Sequence, residues 1–474
     1  MKEQIDVQSI PISIQNTLNE QFLSILQEYH FCESEDGLRH REEIIQFLRS
    51  LANKWLRETL KQDGISPSIY ETAQCLFVPY GSYALGVCSP SSDIDVACIV
   101  PNALTTGSFF TDFYSMLKKE KRVSSILAVT NAFVPIISIG IDGISVDIPI
   151  IVIQTLEYSI PDDFHYSDFS LFGHLSIDSI RSLQGPCTTE KLLSIIPNRE
   201  VFKQALSVLK LFAKQRGIYR NVNGFFGGIN LSIMLIFLLQ KHPNYSLSQL
   251  LIEFFQEFHS FNWSGFLALG PIEHHVELEC DRLVWSQTHG GRECMVILTP
   301  SYPSINSMRS ATLSSRDVII EELNRGWTVC CGVLQDTIDL IRLFDRLDFC
   351  LVYPYYIQIQ LSSENECQWH DWLGWCESKL RIFTVYLESI EGIRAIVGDI
   401  SNEDELRPYN AYRYIGLSLS AALEKEEKIT LSQPLNSFID ILRYNQEKGD
   451  MISLKILRRD EMELIPTVQY DMDD

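Results

Sequence analysis

The chain has 474 residues, 46% of them hydrophobic and 21% charged, a globular composition with room for about two to four domains. No apolar run reaches the length of a membrane span, and Met1–Gln4 open the chain without the basic and apolar segments of a secretion signal, so an intracellular protein with no membrane partner is expected. The formal net charge of −22 argues against a simple nucleic-acid binder, because phosphate neutralisation by Lys and Arg dominates such affinity; it leaves room for a local basic cleft, or for an acidic cluster that holds Mg²⁺.

In chain order, residues from about 12 to 60 read as helices. Ile45, Phe47, Leu48, Leu51, Trp55 and Leu60 recur close to a helical period. Leu76 to Tyr80 reads as a short strand running straight into a Gly81-Ser82 turn, and Ile94 to Val100 reads as a second strand. Pro135 to Ile141 and Ile144 to Ile151 form a hairpin joined at Asp142-Gly143, a strong two-residue turn signal. After about residue 160 the pattern turns helical, with an amphipathic stretch from Val201 to Gln215 and an apolar helix from Gly227-Gly228 through Leu239. Beyond about residue 346 it alternates: strand over Cys350–Leu361, helix over Gln368–Glu388, strand over Tyr414–Ala421, helix over Leu435–Asn445 and strand over Met451–Leu457. That order suits a compact α+β domain. Three domains are expected, at 1–160, 161–345 and 346–474. The twelve cysteines include no C-x-x-C pair and read as free thiols. Glu273-His274-His275 reads as a solvated loop rather than a metal site.

Asp93 and Asp95 flank Ile94 at the start of a strand, so both carboxylates project to one face. Asp147 lies on the far arm of the hairpin and joins them if the two strands are neighbours. Three carboxylates at close range resist ionising together unless cations occupy the site. Two Mg²⁺ ions resolve this and suit phosphoryl transfer, one activating the attacking hydroxyl and the other stabilising the leaving pyrophosphate. Asp-x-Asp alone is common. The Gly81-Ser82 turn directly after a strand sharpens the signal, because glycine lets backbone N–H groups approach a triphosphate and the serine hydroxyl can donate to it.

The run Tyr80-Gly81-Ser82-Tyr83-Ala84-Leu85-Gly86-Val87, followed by Ser92-Asp93-Ile94-Asp95, closely resembles the eukaryotic poly(A) polymerase family, a branch of the polymerase-beta-like nucleotidyltransferases. The resemblance continues through Phe31-Cys32-Glu33-Ser34-Glu35, Ser182-Leu183-Gln184-Gly185 and Leu209-Lys210-Leu211-Phe212-Ala213-Lys214. It goes on through Ile218-Tyr219-Arg220-Asn221, Gly224-Phe225-Phe226-Gly227-Gly228, Thr299-Pro300-Ser301-Tyr302-Pro303 and Trp372-x-Gly374-x-x-Glu377-Ser378-Lys379-Leu380-Arg381, and so covers nearly the whole chain. It implies a nucleotidyltransferase palm of mixed sheet and helices, a central helical domain and a C-terminal ferredoxin-like RNA-binding domain. It implies adenylyl transfer from ATP to RNA 3′ ends, with two Mg²⁺ or Mn²⁺ ions on Asp93, Asp95 and Asp147. A terminal transferase with another base preference, such as UMP, and a non-enzymatic scaffold of an RNA 3′-processing complex are the alternatives.

The same resemblance implies that Tyr80, Gly81, Ser82, Lys210, Lys214, Tyr219, Asn221 and Gly228 bind the nucleotide. Taken alone, Lys203, Ser207, Lys210 and Lys214 would read as a solvated stripe on the 201–215 helix. The glycines at 224, 227 and 228 either admit the nucleotide to the backbone or permit helix packing. Gln184 stands where the family has asparagine, and with Lys455, Arg458 and Arg459 on the last strand it is an RNA-contact candidate. Acidic residues surround that strand, among them Glu461, Glu463 and the Asp471–Asp474 tail. Nuclear residence and subunits of a cleavage and polyadenylation complex are implied by the resemblance, with the cytoplasm as the alternative, since Lys118-Lys119-Glu120-Lys121-Arg122 reads as a solvated helix end. Oligomeric state stays open.

Overall fold

Two helices lead into the first sheet of the computed structural model, which describes residues 5–130, 132–287, 293–403, 407–425, 429–447, 449–462 and 469–470. The Met1–Gln4 start, Glu463 and the Asp471–Asp474 tail lie outside the described residues. The first helix, α1 (Ile12–Glu28), buries Leu18, Phe22, Ile25 and Leu26. The second, α2 (Glu35–Gln62), starts where the Ser34 side chain accepts from the Gly37 N–H, with Glu35 and Asp36 in its first turn; both features suit the positive end of a helix. Its apolar stripe of Ile44, Ile45, Leu48, Trp55 and Leu60 covers one face of the sheet.

That sheet runs β1 (Leu76–Pro79), β2 (Ile94–Pro101), β5 (Ile144–Ile153), β4 (Ile136–Ile141), β3 (Val123–Val129) across its width. β2 and β5 are parallel and the other neighbours antiparallel. The β4–β5 hairpin turns at Asp142-Gly143 with φ of 50° and 82°, the pair of positive angles a tight hairpin loop requires. Strand alternation sorts the side chains. Ile94, Val96, Cys98, Val146, Ile148 and Ile150 pack toward α2. Ala97, Ile99, Ile151 and Ile153 pack the other way, onto Ile180, Leu183 and Cys187 of α4 (Ile177–Ile195). The period of two therefore delivers Asp95 and Asp147 to the α4 side. Gly81-Ser82, expected as a simple turn, opens a short helix, α3 (Gly81–Leu85).

The middle of the chain is helical. Phe202, Leu209 and Phe212 of α5 (Arg199–Gln215), Leu235 and Leu238 of α6 (Gly228–Lys241), Phe255 and Phe258 of α7 (Leu247–Phe258), and Leu323 and Trp327 of α8 (Leu313–Leu334) share one core. The last part follows the order β6 (Tyr355–Ser362), α9 (Glu366–Glu388), β7 (Ile393–Glu403), β8 (Asn410–Leu419), α10 (Ser432–Arg443), β9 (Met451–Arg458). Its strands lie side by side as β7-β8-β6-β9, all antiparallel, with the two-residue Gln469–Tyr470 strand beyond β7. This is the ferredoxin-like arrangement. The strand expected over 350–361 begins only at Tyr355. Phe349–Val352 is a helical turn held by the Asp348 side chain, which accepts from the Cys350 N–H. Strands β3 and β7 were not foreseen. Ser124 and Ser125 of β3 are exposed and weaken its alternation, and the β7–β8 register shifts between Val397 and Ser401. Among the described residues no helix is long and apolar enough to cross a membrane.

Candidate active site

A cavity of about 1180 Å³ opens where these parts meet, and Tyr80, Gly81, Ser82, Asp93, Asp95, Gln184, Lys210, Tyr219, Asn221 and Gly228 all line it. Asp147 and Lys214 are not part of that lining but neighbour residues that are. Asp147 is the register partner of Asp95 across the parallel β2–β5 pair, and the Lys214 ammonium lies 5.7 Å from the centre of the Tyr219 ring. The remaining three expected site residues do not reach the cavity. Lys455 pairs with Glu461 at 3.6 Å, Arg458 lies on the same outer strand, and the Arg459 guanidinium donates to the carbonyls of Tyr353 at 3.1 Å and Val352 at 3.2 Å. Arg459 thereby braces the turn that leads into β6.

The acidic wall is charged at a cost. Burial, then the charges of Asp93 and Asp147, hold the Asp95 carboxyl well above the usual carboxylate range, with Lys210 acting against them. Burial followed by the same three aspartates keeps the Tyr80 phenol protonated. Gly81 has φ +63°, and a Cβ there would run into Asp95 Oδ2. Only glycine lets this backbone lie against that carboxylate. Gly81 N–H donates to Thr189 Oγ1 of α4 at 3.2 Å.

The lysine stripe is not a solvated face. Lys210 is 3% exposed and donates to the Val87 carbonyl at 3.1 Å. Burial and then Lys214 push its ammonium down to about 8, against the pull of Cys88, Asp93 and Asp95. Asn221 lines the cavity with its amide already engaged: Nδ2 donates to the Ser307 carbonyl at 3.1 Å, and Oδ1 accepts from Ser310 Oγ at 3.2 Å. Of the glycines that follow, Gly228 borders the cavity. Gly224 has φ +90°, and a Cβ on it would press on the Ser310 carbonyl and Ser315 Oγ at about 3 Å, a packing demand. Gln184 Nε2 donates to the Tyr302 carbonyl at 3.2 Å, while its buried Oε1 has no partner among the described residues.

Sequence reasoning missed Arg41. This α2 side chain is 0% exposed. It donates to the carbonyls of Ser92 at 2.6 Å, Ser89 at 3.1 Å and Pro90 at 3.2 Å, and to Glu33 Oε2 at 3.0 Å. It thus ties down the loop that carries Asp93 into β2. The available signal was an arginine three and four residues before Ile44 and Ile45, in line with the apolar stripe. Arg181, Arg309 and Arg381, from distant parts of the chain, also line the cavity and were missed.

Asp93, Asp95 and Asp147 offer hard oxygen donors suited to a divalent cation. Among the described residues no three acidic, His or Cys side chains are already drawn together as a closed metal cage. The donor set nevertheless fits: a carboxyl pushed up by burial and by two neighbouring acids is one whose ionisation a bound cation would favour. His274 and His275, as expected, serve a loop, with His274 Nδ1 3.4 Å from Asp281 and the His275 N–H donating to Asp281 at 2.6 Å.

A parallel strand pair presenting aligned carboxylates, facing a glycine-led backbone approach and a buried lysine, puts the chain in the nucleotidyltransferase class. Comparison with known proteins narrows this. Residues 8–196 match the poly(A) polymerase nucleotidyltransferase domain, 201–346 the poly(A) polymerase central domain, and 348–397 the poly(A) polymerase predicted RNA binding domain. Nuclear poly(A) polymerase 1 of Arabidopsis thaliana is 31% identical over 77% of this chain and 51% of its own length. Poly(A) polymerase PAPalpha of Candida albicans is 31% identical over 85% of this chain and 72% of its own. For poly(A) polymerase pla1 of Schizosaccharomyces pombe the figures are 31%, 92% and 76%. The chain belongs to the poly(A) polymerase family. Among solved structures, a cytoplasmic RNA terminal U-transferase is similar at a TM-score of 0.46 and 16% identity, over 70% of this chain and 100% of that one; a likeness that distant carries no functional reading.

Proposed function

We propose that this chain is a polynucleotide adenylyltransferase that adds AMP from ATP to RNA 3′ ends and releases pyrophosphate. The observation that carries the reading is the alignment of Asp95 with Asp147 on adjacent parallel strands, beside a cavity that also holds Gly81, Ser82 and the buried Lys210. In this reading the chain divides into a catalytic part to residue 160, a helical part to 345 and an RNA-binding part to 474, with RNA and ATP meeting in the cleft.

Asp93 and Asp95 would hold two divalent ions, Mg²⁺ or Mn²⁺, and Asp147 would hold one of them. When bound, such ions supply acidification of the RNA 3′ hydroxyl and charge neutralisation at the leaving group. The chain's own groups do the rest. Gly81 and Ser82 hold the triphosphate by close backbone approach and a hydroxyl, and Lys210, Lys214 and Tyr219 hold it from α5 and the segment after it. The buried Lys210 ammonium opposes the charge that builds on pyrophosphate as the bond from the α-phosphorus to the bridging oxygen breaks. The RNA 3′ oxygen forms the new bond to the same phosphorus, in line. Asn221 shapes the nucleoside side of the pocket through its bonds to Ser307 and Ser310. Nuclear residence and docking to 3′-end cleavage subunits are part of the proposal by family membership.

The test is an oligo(A) primer incubated with Mg²⁺ or Mn²⁺ and each of the four nucleotides separately. AMP addition is expected to dominate. Dominant UMP addition would overturn the base assignment, and near-normal incorporation by Asp95→Asn would overturn the site.

A further inference from the structure

The rim of the cavity carries a basic cluster that the nucleotide site does not use. Five basic side chains and three acidic ones line the cavity wall among the described residues, a local excess of positive charge in a chain of formal charge −22. Lys210 lies deep. The others are arginines nearer the surface; two of them lie over one ring and a third stands beside them. The Arg181 guanidinium lies 4.6 Å, and that of Arg309 5.7 Å, from the centre of Phe133, whose own ring is 44% exposed. Arg381 of α9 donates to the Ser310 carbonyl at 3.4 Å, next to Arg309.

Each comes from a different part of the chain. Arg181 is on α4, Arg309 in the segment before α8 and Arg381 on α9, within the 8–196, 201–346 and 348–397 family matches respectively. Their charges are poorly compensated. Among the described residues, Arg309 and Arg381 form no ion pair, and Arg181 has only the exposed Asp178 at 3.3 Å while its buried Nε has no partner. Burial and the neighbouring Arg309 both press down the basicity of Arg381. Arginines brought together without carboxylates raise the energy of the fold unless anions fill the space between them. The planar guanidinium fork suits phosphate oxygens.

We propose that Arg181, Arg309 and Arg381, steadied by Phe133, hold the backbone phosphates of the RNA strand just upstream of its 3′ end, as the strand enters the cavity. This rests on the adenylyl-transfer reading and deepens it. It places the grip for RNA where the three family-matched segments meet, away from Lys455, Arg458 and Arg459 on β9, and it explains how an acidic protein takes a polyanion. The ATP triphosphate belongs to the deeper lysines.

The test uses the full chain and a short labelled oligo(A), titrated by fluorescence anisotropy across a range of KCl without ATP. For single strands each neutralised phosphate contributes about 0.7 to the slope of log affinity against log salt. Arg309→Gln and Arg381→Gln are each expected to bind oligo(A) several-fold more weakly, with the salt slope lowered by about 0.7. Arg309→Lys should keep the slope, and Arg443→Gln, an exposed arginine outside the cavity wall, should match the wild type. The KM for ATP at saturating primer should stay unchanged in Arg309→Gln. Arg309 is exposed, so its variant stays informative even if Arg381→Gln folds poorly. An unchanged slope in Arg309→Gln, or a raised KM for ATP with unaltered oligo(A) binding, would overturn the assignment. Loss of the adenylyl-transfer reading would show separately, as a wild-type protein that binds oligo(A) in this way yet adds no AMP in the four-nucleotide assay.

Discussion

Replacing Arg41 with Met tests whether the proposed catalytic carboxylates depend on a buried cation set apart from them. The substitution preserves much of the side-chain volume and removes the guanidinium. It leaves the carbonyls of Ser89, Pro90 and Ser92 without their donor, and leaves the Glu33 carboxylate, whose side chain is 9% exposed, without its cation. Among the described residues, Glu33 keeps only the Ser34 N–H at 2.8 Å and its hydroxyl at 3.4 Å. Breaking a buried pair from one side costs about 3–5 kcal/mol, a large share of a typical total of about 5–15 kcal/mol. The expected fall in melting temperature is about 6–20 °C. Because the loosened loop carries Asp93, kcat should fall about 10-fold or more at temperatures where the variant is fully folded, while oligo(A) binding changes little. Urea unfolding and steady-state AMP incorporation read the two effects. Adding Glu33→Gln should return about 1–3 kcal/mol, since the uncompensated charge is gone. A stability loss under about 1 kcal/mol, or a double variant additive to within about 0.5 kcal/mol, would refute the reasoning.

Three further outcomes are expected. Gly81→Ala should lose at least about 100-fold in kcat while losing only about 1–2 kcal/mol of stability, because the strained backbone and the new methyl displace the Asp95 carboxylate; wild-type kcat would contradict the close approach. If Lys210 holds phosphate as an ammonium, as proposed, the KM for ATP should rise as pH climbs through about 8, and Lys210→Met should lack that dependence and bind ATP about 10-fold more weakly. The fold itself favours the neutral amine, so this residue costs stability below about 8 and ceases to do so as pH rises toward the ordinary 10.5; a flat KM between about pH 7 and about pH 9.5 would remove Lys210 from the site. Tyr356→Phe should cost about 1–3 kcal/mol in urea unfolding without altering AMP incorporation per folded molecule, because the buried hydroxyl donates to the Phe349 carbonyl at 2.8 Å and accepts the Tyr353 N–H at 3.0 Å, holding the start of β6.

Local pattern was enough for the parts of the site that lie on one strand or one turn. Asp-x-Asp at the start of a strand brings Asp93, from the loop before β2, and Asp95 to one cavity, and the Asp142-Gly143 hairpin places Asp147 on its far arm from the turn signal alone. Glycine at 81 announces a close backbone approach before any partner is known. Strand β3 and the true start of β6 were not legible. In β3 exposed serines break the alternation, and at β6 the apolar run Phe349–Val352 reads equally well as strand until the Asp348 cap turns it into a helix.

What the sequence by itself determined, then, was a pattern suited to nucleotidyl transfer: Asp-x-Asp, a third aspartate on a hairpin arm and a glycine-serine approach, each set by near neighbours in the chain. Only the tertiary structure decided that Asp95 and Asp147 are register partners, that Lys210 is buried rather than solvated, and that Arg41 holds the loop before β2 from a helix some fifty residues away. It also brought Arg181, Arg309 and Arg381, from three distant segments, to the wall of one cavity. Burial and the summed field of remote charges depend on which surfaces pack together, and no local window of residues contains that information.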